Sequence, residues 1–210
     1  MIVLIDNGHG IDTKGKCSPD ALRGLTSSSL YFREYSWTRG VAQSCCDVLQ
    51  AAGIQAWLLV PEENDVPLSV RAKRVNDFCR EYGKDNVLLV SIHNNAAGDG
   101  SRWMNARGWS IYTSRGVTDS DKLSEYIFQA AVKEFKEPLT VRKHMDKYLD
   151  RDFEENYTIL VNTRCTAVLV ENFFQDNRLD VRYLKSDKGK GSCVHVITQG
   201  IMDYINSLKK

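Results

Sequence analysis

Residues 1–10 read MIVLIDNGHG, so an apolar run of strand length passes directly into a turn that carries a histidine. A second apolar run, residues 87–92, reads VLLVSI and is followed at once by His93. A third run, residues 167–170, reads AVLV and ends in Glu171. Short apolar runs rich in β-branched residues are typical of buried strands. If these strands lie parallel, their carboxyl ends meet at one edge of a sheet, which is where open α/β sheets bind ligands.

The whole sequence alternates strand and helix patterns. Strands are predicted at residues 1–6, 54–60, 86–92, 109–113, 157–161 and 166–171. Helical periodicity predicts helices at residues 34–52, 67–82, 119–136 and 190–208. This alternation predicts an α/β fold with three αβα layers, in which helices cover both faces of a mostly parallel, mixed and twisted sheet of about six strands. Loops are predicted at residues 11–33, 94–108 and 138–156.

The composition is that of an ordinary globular protein. Of the 210 residues, 42% are hydrophobic and 26% are charged, and we expect one domain over residues 1–210. A net charge of +1 provides no basic field for nucleic acid, and no stretch approaches the roughly 18 apolar residues of a membrane span. The six cysteines form no Cys-x-x-Cys pair, so buried free thiols are expected in place of a structural zinc site.

The amino terminus has no signal peptide pattern, because it lacks a basic segment and a long apolar core. Residues 1–5 already belong to the first predicted strand. We therefore expect synthesis in the cytoplasm, and any function outside the membrane would require another route of export or release.

The two histidines at strand ends suggest a metal site at the edge of the sheet. A catalytic zinc ion commonly has three protein ligands and one open position, and two histidines with one glutamate are a usual set. His9 and His93 supply the imidazoles, and Glu34 is the candidate third ligand because it opens the first long helix after the loop that follows His9. Gly8 and Gly10 permit a tight turn and a close approach of the backbone.

Glu171 is the candidate catalytic acid. A carboxyl group at the end of a fully apolar strand is partly desolvated, which raises its pKa toward the range of a general acid/base. Asp6 is the alternative, either in that role or as a group that orients His9. His144 lies in a charged loop and His195 on the last helix, where ordinary surface roles are favoured.

Five short motifs then follow one another along the chain. Their residues are Asp6, Gly8, His9 and Gly10; Glu34 with Gly53; Arg71, Arg74 and Asn76; Ser91, His93 and Asn95; and Val168 to Glu171 with Phe174 and Asn177. In this order they resemble the zinc-dependent N-acetylmuramoyl-L-alanine amidases of the type 3 family, which are cell-wall amidases. Each motif alone is short, but five in the same order over nearly the whole chain are specific.

The resemblance implies that His9, Glu34 and His93 bind one zinc ion. It favours Glu34 over the later acids Glu62 and Glu63 as the third ligand. In its compactness, the chain is similar to phage endolysins.

The resemblance also implies that Glu171 is the catalytic acid/base in hydrolysis of the amide bond between N-acetylmuramic acid and L-alanine. The expected partner is peptidoglycan, the expected state is a monomer, and the expected place of action is the cell wall after export or release. The chain departs from the family at Thr166, where proline is common, and near Phe173, where glycine is common.

Two other functions remain open at this point. One is a zinc carboxypeptidase or another amidohydrolase on the same scaffold. The other is a catalytically inert module that binds peptidoglycan and keeps a relic metal site. Analysis of the groups released from digested peptidoglycan separates these functions from the amidase.

Overall fold

The computed structural model describes residues 1–144 and 151–209. Its strands are β1 (Ile2–Asn7), β2 (Gln55–Leu58), β3 (Val87–Asn95), β4 (Ser110–Thr113), β5 (Phe153–Glu154) and β6 (Thr166–Phe174). Its α-helices are α1 (Pro19–Leu22), α2 (Glu34–Ala51), α3 (Leu68–Tyr82), α4 (Asp119–Glu134), α5 (Thr158–Val161), α6 (Arg178–Lys185) and α7 (Asp187–Ser207). A 3-10 turn spans Lys84–Asn86.

The strands form one mixed sheet in the order β2-β1-β3-β6-β4-β5. β1, β3 and β6 are neighbours and parallel, as the sequence predicted, and β2 pairs with β1 in the same direction. β4 runs antiparallel to β6, and β5 runs parallel to β4. The carboxyl ends of the three central strands therefore share one edge, where His93 is directly opposite Glu171.

Helices cover both faces of the sheet, which confirms the predicted three-layer α/β fold. Val3 and Ile5 face a large core formed with α2, α4 and α7. Ile2 and Leu4 face a smaller core that includes residues of α3 and α5. Because both faces are buried, the central strands are continuously apolar and do not alternate with polar residues.

One predicted strand is wrong. Within the predicted strand 157–161, residues Thr158–Val161 form the short helix α5, in which Ile159 and Leu160 are both buried. The Thr163 hydroxyl donates to the Ile159 carbonyl at 3.0 Å. So short an apolar run does not distinguish a strand from a buried helix by periodicity. The outer strand is β5, inside the predicted charged loop 138–156, of which residues 145–150 lie outside the described residues.

The four predicted long helices are confirmed as α2, α3, α4 and α7, with small shifts of their ends. Helix α6 was not predicted, and it is capped at its N-terminus by Asn177, whose side chain accepts from the N–H groups of Leu179 and Asp180. Gly53 and Gly83 lie at the opposite edge of the sheet, where the chain turns before it enters β2 and β3.

All six cysteines are free, as expected. Among the described residues, no helix combines the length and the apolar character needed to cross a bilayer.

Candidate metal centre

Three side chains from distant parts of the chain meet at the carboxyl edge of the sheet. His9 follows β1, Glu34 is the first residue of α2, and His93 lies near the end of β3. Each offers one ligand atom, and these atoms lie within 4.8 Å of one another. Glu34 Oε1 is 3.1 Å from His93 Nδ1 and 3.5 Å from His9 Nε2. The structure thus brings together the three residues that the sequence suggested as metal ligands.

Two of the three ligand spacings are close to those around a tetrahedral metal ion. Zinc bonds to nitrogen and oxygen ligands are about 2.0–2.2 Å long, so two ligand atoms on one tetrahedron are roughly 3.3–3.6 Å apart. The two distances at Glu34 Oε1 are close to this range. Two imidazole nitrogens and one carboxylate oxygen are also the donor set that a catalytic zinc ion prefers.

The charge of Glu34 supports the same assignment. Its carboxylate is buried, and the only basic groups within ion-pair distance in the described chain are the imidazoles of His9 and His93. Burial opposes ionisation, but the hydrogen bond from His93, the two imidazoles and the Asn94 N–H hold the pKa of Glu34 below its usual value. An ionised carboxylate with no lysine or arginine beside it is a suitable ligand for a divalent cation.

The two histidines differ in their titration. Burial is the main reason that the pKa of His9 falls to about 4, which keeps its imidazole neutral and able to bind a metal at neutral pH. Burial also opposes the charge of His93, but the hydrogen bond and charge of Glu34 raise the pKa of His93 above its usual value. A proton and a metal ion would therefore compete for the imidazole of His93.

The turn around His9 is held tightly against its neighbours. The Gly8 N–H donates to the Ile92 carbonyl at 2.9 Å, and the Gly8 carbonyl accepts from the Thr38 hydroxyl at 3.0 Å. A Cβ atom on Gly8 would lie within 3.0 Å of three atoms of the His93 ring. A Cβ atom on Gly10 would overlap the backbone near Asp65. The close approach predicted for both glycines is therefore present.

Glu171 stands beside this group on β6. It pairs in register with His93, and its Oε2 is buried without a hydrogen-bond partner in the described residues. The pKa of Glu171 is raised to about 8, and burial is the main cause. The charge of His93 opposes this shift, that of Glu34 adds to it, and that of Lys16 opposes it. Such a carboxyl group can both hold and release a proton near neutral pH.

A β-bulge follows Glu171. Between the His93–Glu171 pair and the Asn95–Phe174 pair, β6 contains one residue more than β3. Phe173 takes a φ of 62° within this bulge, a region of backbone conformation that favours glycine. Phe173 is fully buried and packs edge-on against Phe135 and Tyr183.

The four candidate residues line one cleft of about 660 Å³. Its lining includes Lys16, the segment from Asp65 to Leu68, and Asn156 to Ile159 of the α5 region. His93, Asn94 and Glu171 line it from the strand ends. The cleft is large enough for part of an extended substrate and brings it against the three-residue group.

Asp6, the alternative to Glu171, has hydrogen-bond partners other than His9. Its carboxylate accepts from Arg71 at 2.7 Å and from Ser91 at 2.6 Å, and it faces helix α3. Arg71 also donates to the Asn7 carbonyl at 2.7 Å. Asp6 therefore fixes the end of β1 against α3, while His9 is held by its own turn.

The other candidates lie outside the group. Glu62 pairs with Arg74 at an exposed position. His144 lies at the surface against Phe153, and His195 is exposed on α7.

The sequence did not reveal Gln175. Its side chain is buried and donates from Nε2 to Glu34 Oε2 at 2.9 Å. The only signal was a glutamine directly after a pair of phenylalanines, in a segment that is otherwise buried. Nothing in the sequence indicates that this segment reaches Glu34, 141 residues away.

Known proteins match this chain over almost its whole length. The model of the N-acetylmuramoyl-L-alanine amidase family matches residues 3–203. The chain is 25% identical over 214 residues to the endolysin of Bacillus phage SPP1, covering 100% of this chain and 68% of that protein. It is 21% identical over 238 residues to N-acetylmuramoyl-L-alanine amidase AmiC of Neisseria meningitidis serogroup B, covering 98% of this chain and 53% of that protein. The chain thus spans about two thirds of the first relative and about half of the second.

A solved structure has the same fold. It is the N-acetylmuramoyl-L-alanine amidase from Clostridium difficile 630, which superposes with a TM-score of 0.75 at 23% sequence identity. The match covers 98% of this chain and 97% of that chain. This likeness extends over all three layers of the fold.

Proposed function

Because the chain belongs to the N-acetylmuramoyl-L-alanine amidase family, we propose that it hydrolyses the amide bond between N-acetylmuramic acid and L-alanine with a zinc ion held by His9, Glu34 and His93. The observation that carries the zinc assignment is the meeting of these three ligand atoms within 4.8 Å, beside Glu171 in a single cleft. All four residues come from one chain, so we propose a monomeric enzyme. Peptidoglycan is the proposed substrate, to be reached after export or release.

When bound, a zinc ion supplies a Lewis acid that polarises a carbonyl and lowers the pKa of a water toward ~7. Glu34 contributes one negative charge and the histidines contribute neutral nitrogens. Glu171 is the proton carrier: its carboxylate accepts a proton from the attacking water and returns it to the nitrogen of the departing L-alanine. The walls of the cleft hold the stem peptide and the sugar on either side of the scissile bond.

The role of Glu171 is tested by Glu171→Gln, which keeps the size of the side chain but replaces the titratable carboxyl group with an amide that cannot act as an acid or a base. We expect folded protein that binds one zinc ion and has at least ~100-fold lower turnover on purified sacculi. The assay measures new amino-terminal L-alanine. Near-normal turnover by this variant would exclude the proposed role.

The zinc ligands are tested by His93→Ala, with His195→Ala as the matched control at an exposed helical histidine. We expect His93→Ala to lose stoichiometric zinc and His195→Ala to keep it. Full zinc content in His93→Ala would contradict the ligand assignment. Release of free carboxy-terminal amino acids by the wild type would indicate a carboxypeptidase, and bound zinc without any release would indicate an inert module.

A further inference from the structure

Gln175 lies where the strand pairing of the site ends. It follows the β-bulge of β6, and its backbone N–H donates to the Asn95 carbonyl at 2.8 Å. This bond extends the contact between β6 and β3 beyond the bulge. The side chain is thereby directed toward the interior, and only 1% of Gln175 is exposed.

The two oxygens of Glu34 have different partners. Oε1 accepts from the Asn94 N–H at 3.0 Å and is the oxygen near both imidazoles. Oε2 accepts from Gln175 Nε2 at 2.9 Å, and no other donor to Oε2 is found in the described residues. The same Nε2 lies 3.3 Å from the Asn94 carbonyl, so one amide group contacts Glu34 and the segment after His93.

The chemistry of the amide suits this position. A lysine or arginine here would neutralise Glu34 and weaken its attraction for a cation. An apolar side chain would leave Oε2 buried without a hydrogen bond, which is unfavourable. A glutamine satisfies Oε2, adds no charge, and prevents the carboxylate from turning.

We propose that Gln175 is a positioning residue that holds Glu34 as a one-oxygen metal ligand and thereby sets the affinity of the site for zinc. The inference rests on the proposed metal-dependent function. Groups that orient metal ligands in this way typically contribute 10–100-fold in metal affinity. Gln175 does not line the cleft, and in this proposal it acts through the carboxylate of Glu34.

The test compares Gln175→Met with Gln129→Met. Gln129 on helix α4 also donates to a glutamate, Glu125, at 2.9 Å, but it is exposed and remote from the cleft. Both substitutions therefore remove one glutamine–glutamate hydrogen bond. Zinc affinity is measured by competition with a chelator, and the visible spectrum of the cobalt-substituted protein reports the ligand geometry.

We expect Gln175→Met to bind zinc about 10–100-fold more weakly and to change the cobalt spectrum, while Gln129→Met matches the wild type. Equal affinity and an unchanged spectrum in Gln175→Met, with tight binding in the wild type, would overturn this inference alone. Absence of zinc binding by the wild type would overturn the proposed function as well. If Gln175→Met does not fold, Gln175→Asn carries the same test, since its amide is one methylene too short to reach Oε2.

Discussion

At the scale of single residues, His9 has a backbone φ of 63° although glycines flank it on both sides. The left-handed conformation is therefore taken by the proposed ligand itself, and the glycines serve to make space. Gly8 leaves room for the ring of His93, and Gly10 leaves room for the backbone of Asn64 and Asp65. Two ligands are thus brought together by the absence of a side chain between them.

The substitution Gly8→Ala tests this arrangement. The added methyl group meets the His93 ring, so the ring or the turn must shift from the position that places Nδ1 beside Glu34. We expect a folded protein whose zinc affinity is at least ~10-fold lower, measured by chelator competition. The control is Gly40→Ala in helix α2, where a Cβ atom has no neighbour within 4 Å and alanine favours the helix. Wild-type affinity in Gly8→Ala would show that the ring position is not essential.

The pKa of Glu171 predicts how the stability of the metal-free protein depends on pH. Its pKa is about 8 in the folded protein and about 4.3 in an unfolded chain, so the folded state holds the extra proton between these values. The contribution of Glu171 to the free energy of unfolding is therefore fully present below pH ~4.3 and is lost as the pH rises toward 8.

The measurement is urea unfolding in excess chelator at pH 5 and pH 8, for the wild type and for Glu171→Gln. Between pH 5 and pH 8, we expect the free energy of unfolding of the wild type to fall by at least ~1 kcal/mol more than that of the variant. The variant is the internal control, because every other titrating group is shared. Parallel curves for the two proteins would show that Glu171 is not desolvated in the native state.

The sequence identified the residues whose chemistry is visible in their type and place. His9, His93 and Glu171 follow apolar runs, and Glu34 opens a helix. The sequence did not identify Gln175, because the role of a buried amide depends on its partner, and Glu34 lies 141 residues away in the chain.

At the scale of elements, helix α3 is fixed to the end of β1 by one arginine. Arg71 is 2% exposed and donates to Asp6, to the carbonyls of Val66 and Asn7, and to Asp65. The contacts with Asp6 and Asn7 hold the segment immediately before the His9 turn, and those with Asp65 and Val66 hold the segment that leads into α3. In the sequence, Arg71 was only one residue of a weak motif.

We expect Arg71→Met to lower the free energy of unfolding by about 3–5 kcal/mol, since it leaves the carboxylate of Asp6 buried without its cation. Arg80→Met is the control on the same helix, because Arg80 pairs with Asp77 at the surface and such pairs contribute less than ~1 kcal/mol. Both values come from urea unfolding. A loss of similar size in the two variants would contradict the special role given to Arg71.

Helix α5 shows why some elements could not be predicted. Its apolar residues are few, and their helical form follows from packing on the sheet face beside α3. The strands β1, β3 and β6 were predictable because each is buried on both faces and rich in β-branched residues. The bulge at Phe173 was also hidden, since a phenylalanine gives no local signal for positive φ.

At the scale of the whole molecule, the proposed zinc ion connects three segments that are far apart in sequence. His9, Glu34 and His93 come from the end of β1, the start of α2 and the end of β3. An unfolded chain does not hold these groups together, so zinc binds the native state preferentially and stabilises it.

We expect zinc at 100 times its dissociation constant to raise the free energy of unfolding by about 2.7 kcal/mol, seen as a higher melting temperature. Glu34→Gln should show little of this shift. Calcium should have no such effect on the wild type, because it prefers six to eight oxygen ligands. Equal stabilisation by the two metals would indicate a non-specific ionic effect.

The turns at Gly53 and Gly83 lie at the end of the fold opposite the proposed metal ligands. Gly53 is exposed with no atom crowding it, and it lies at the edge of the sheet away from the cleft. An affinity tag inserted there would anchor the molecule to a resin or a sensor chip with the cleft facing the solution. Insoluble cell-wall fragments could then dock on an immobilised layer of uniformly oriented molecules, which attachment through random surface lysines would not provide.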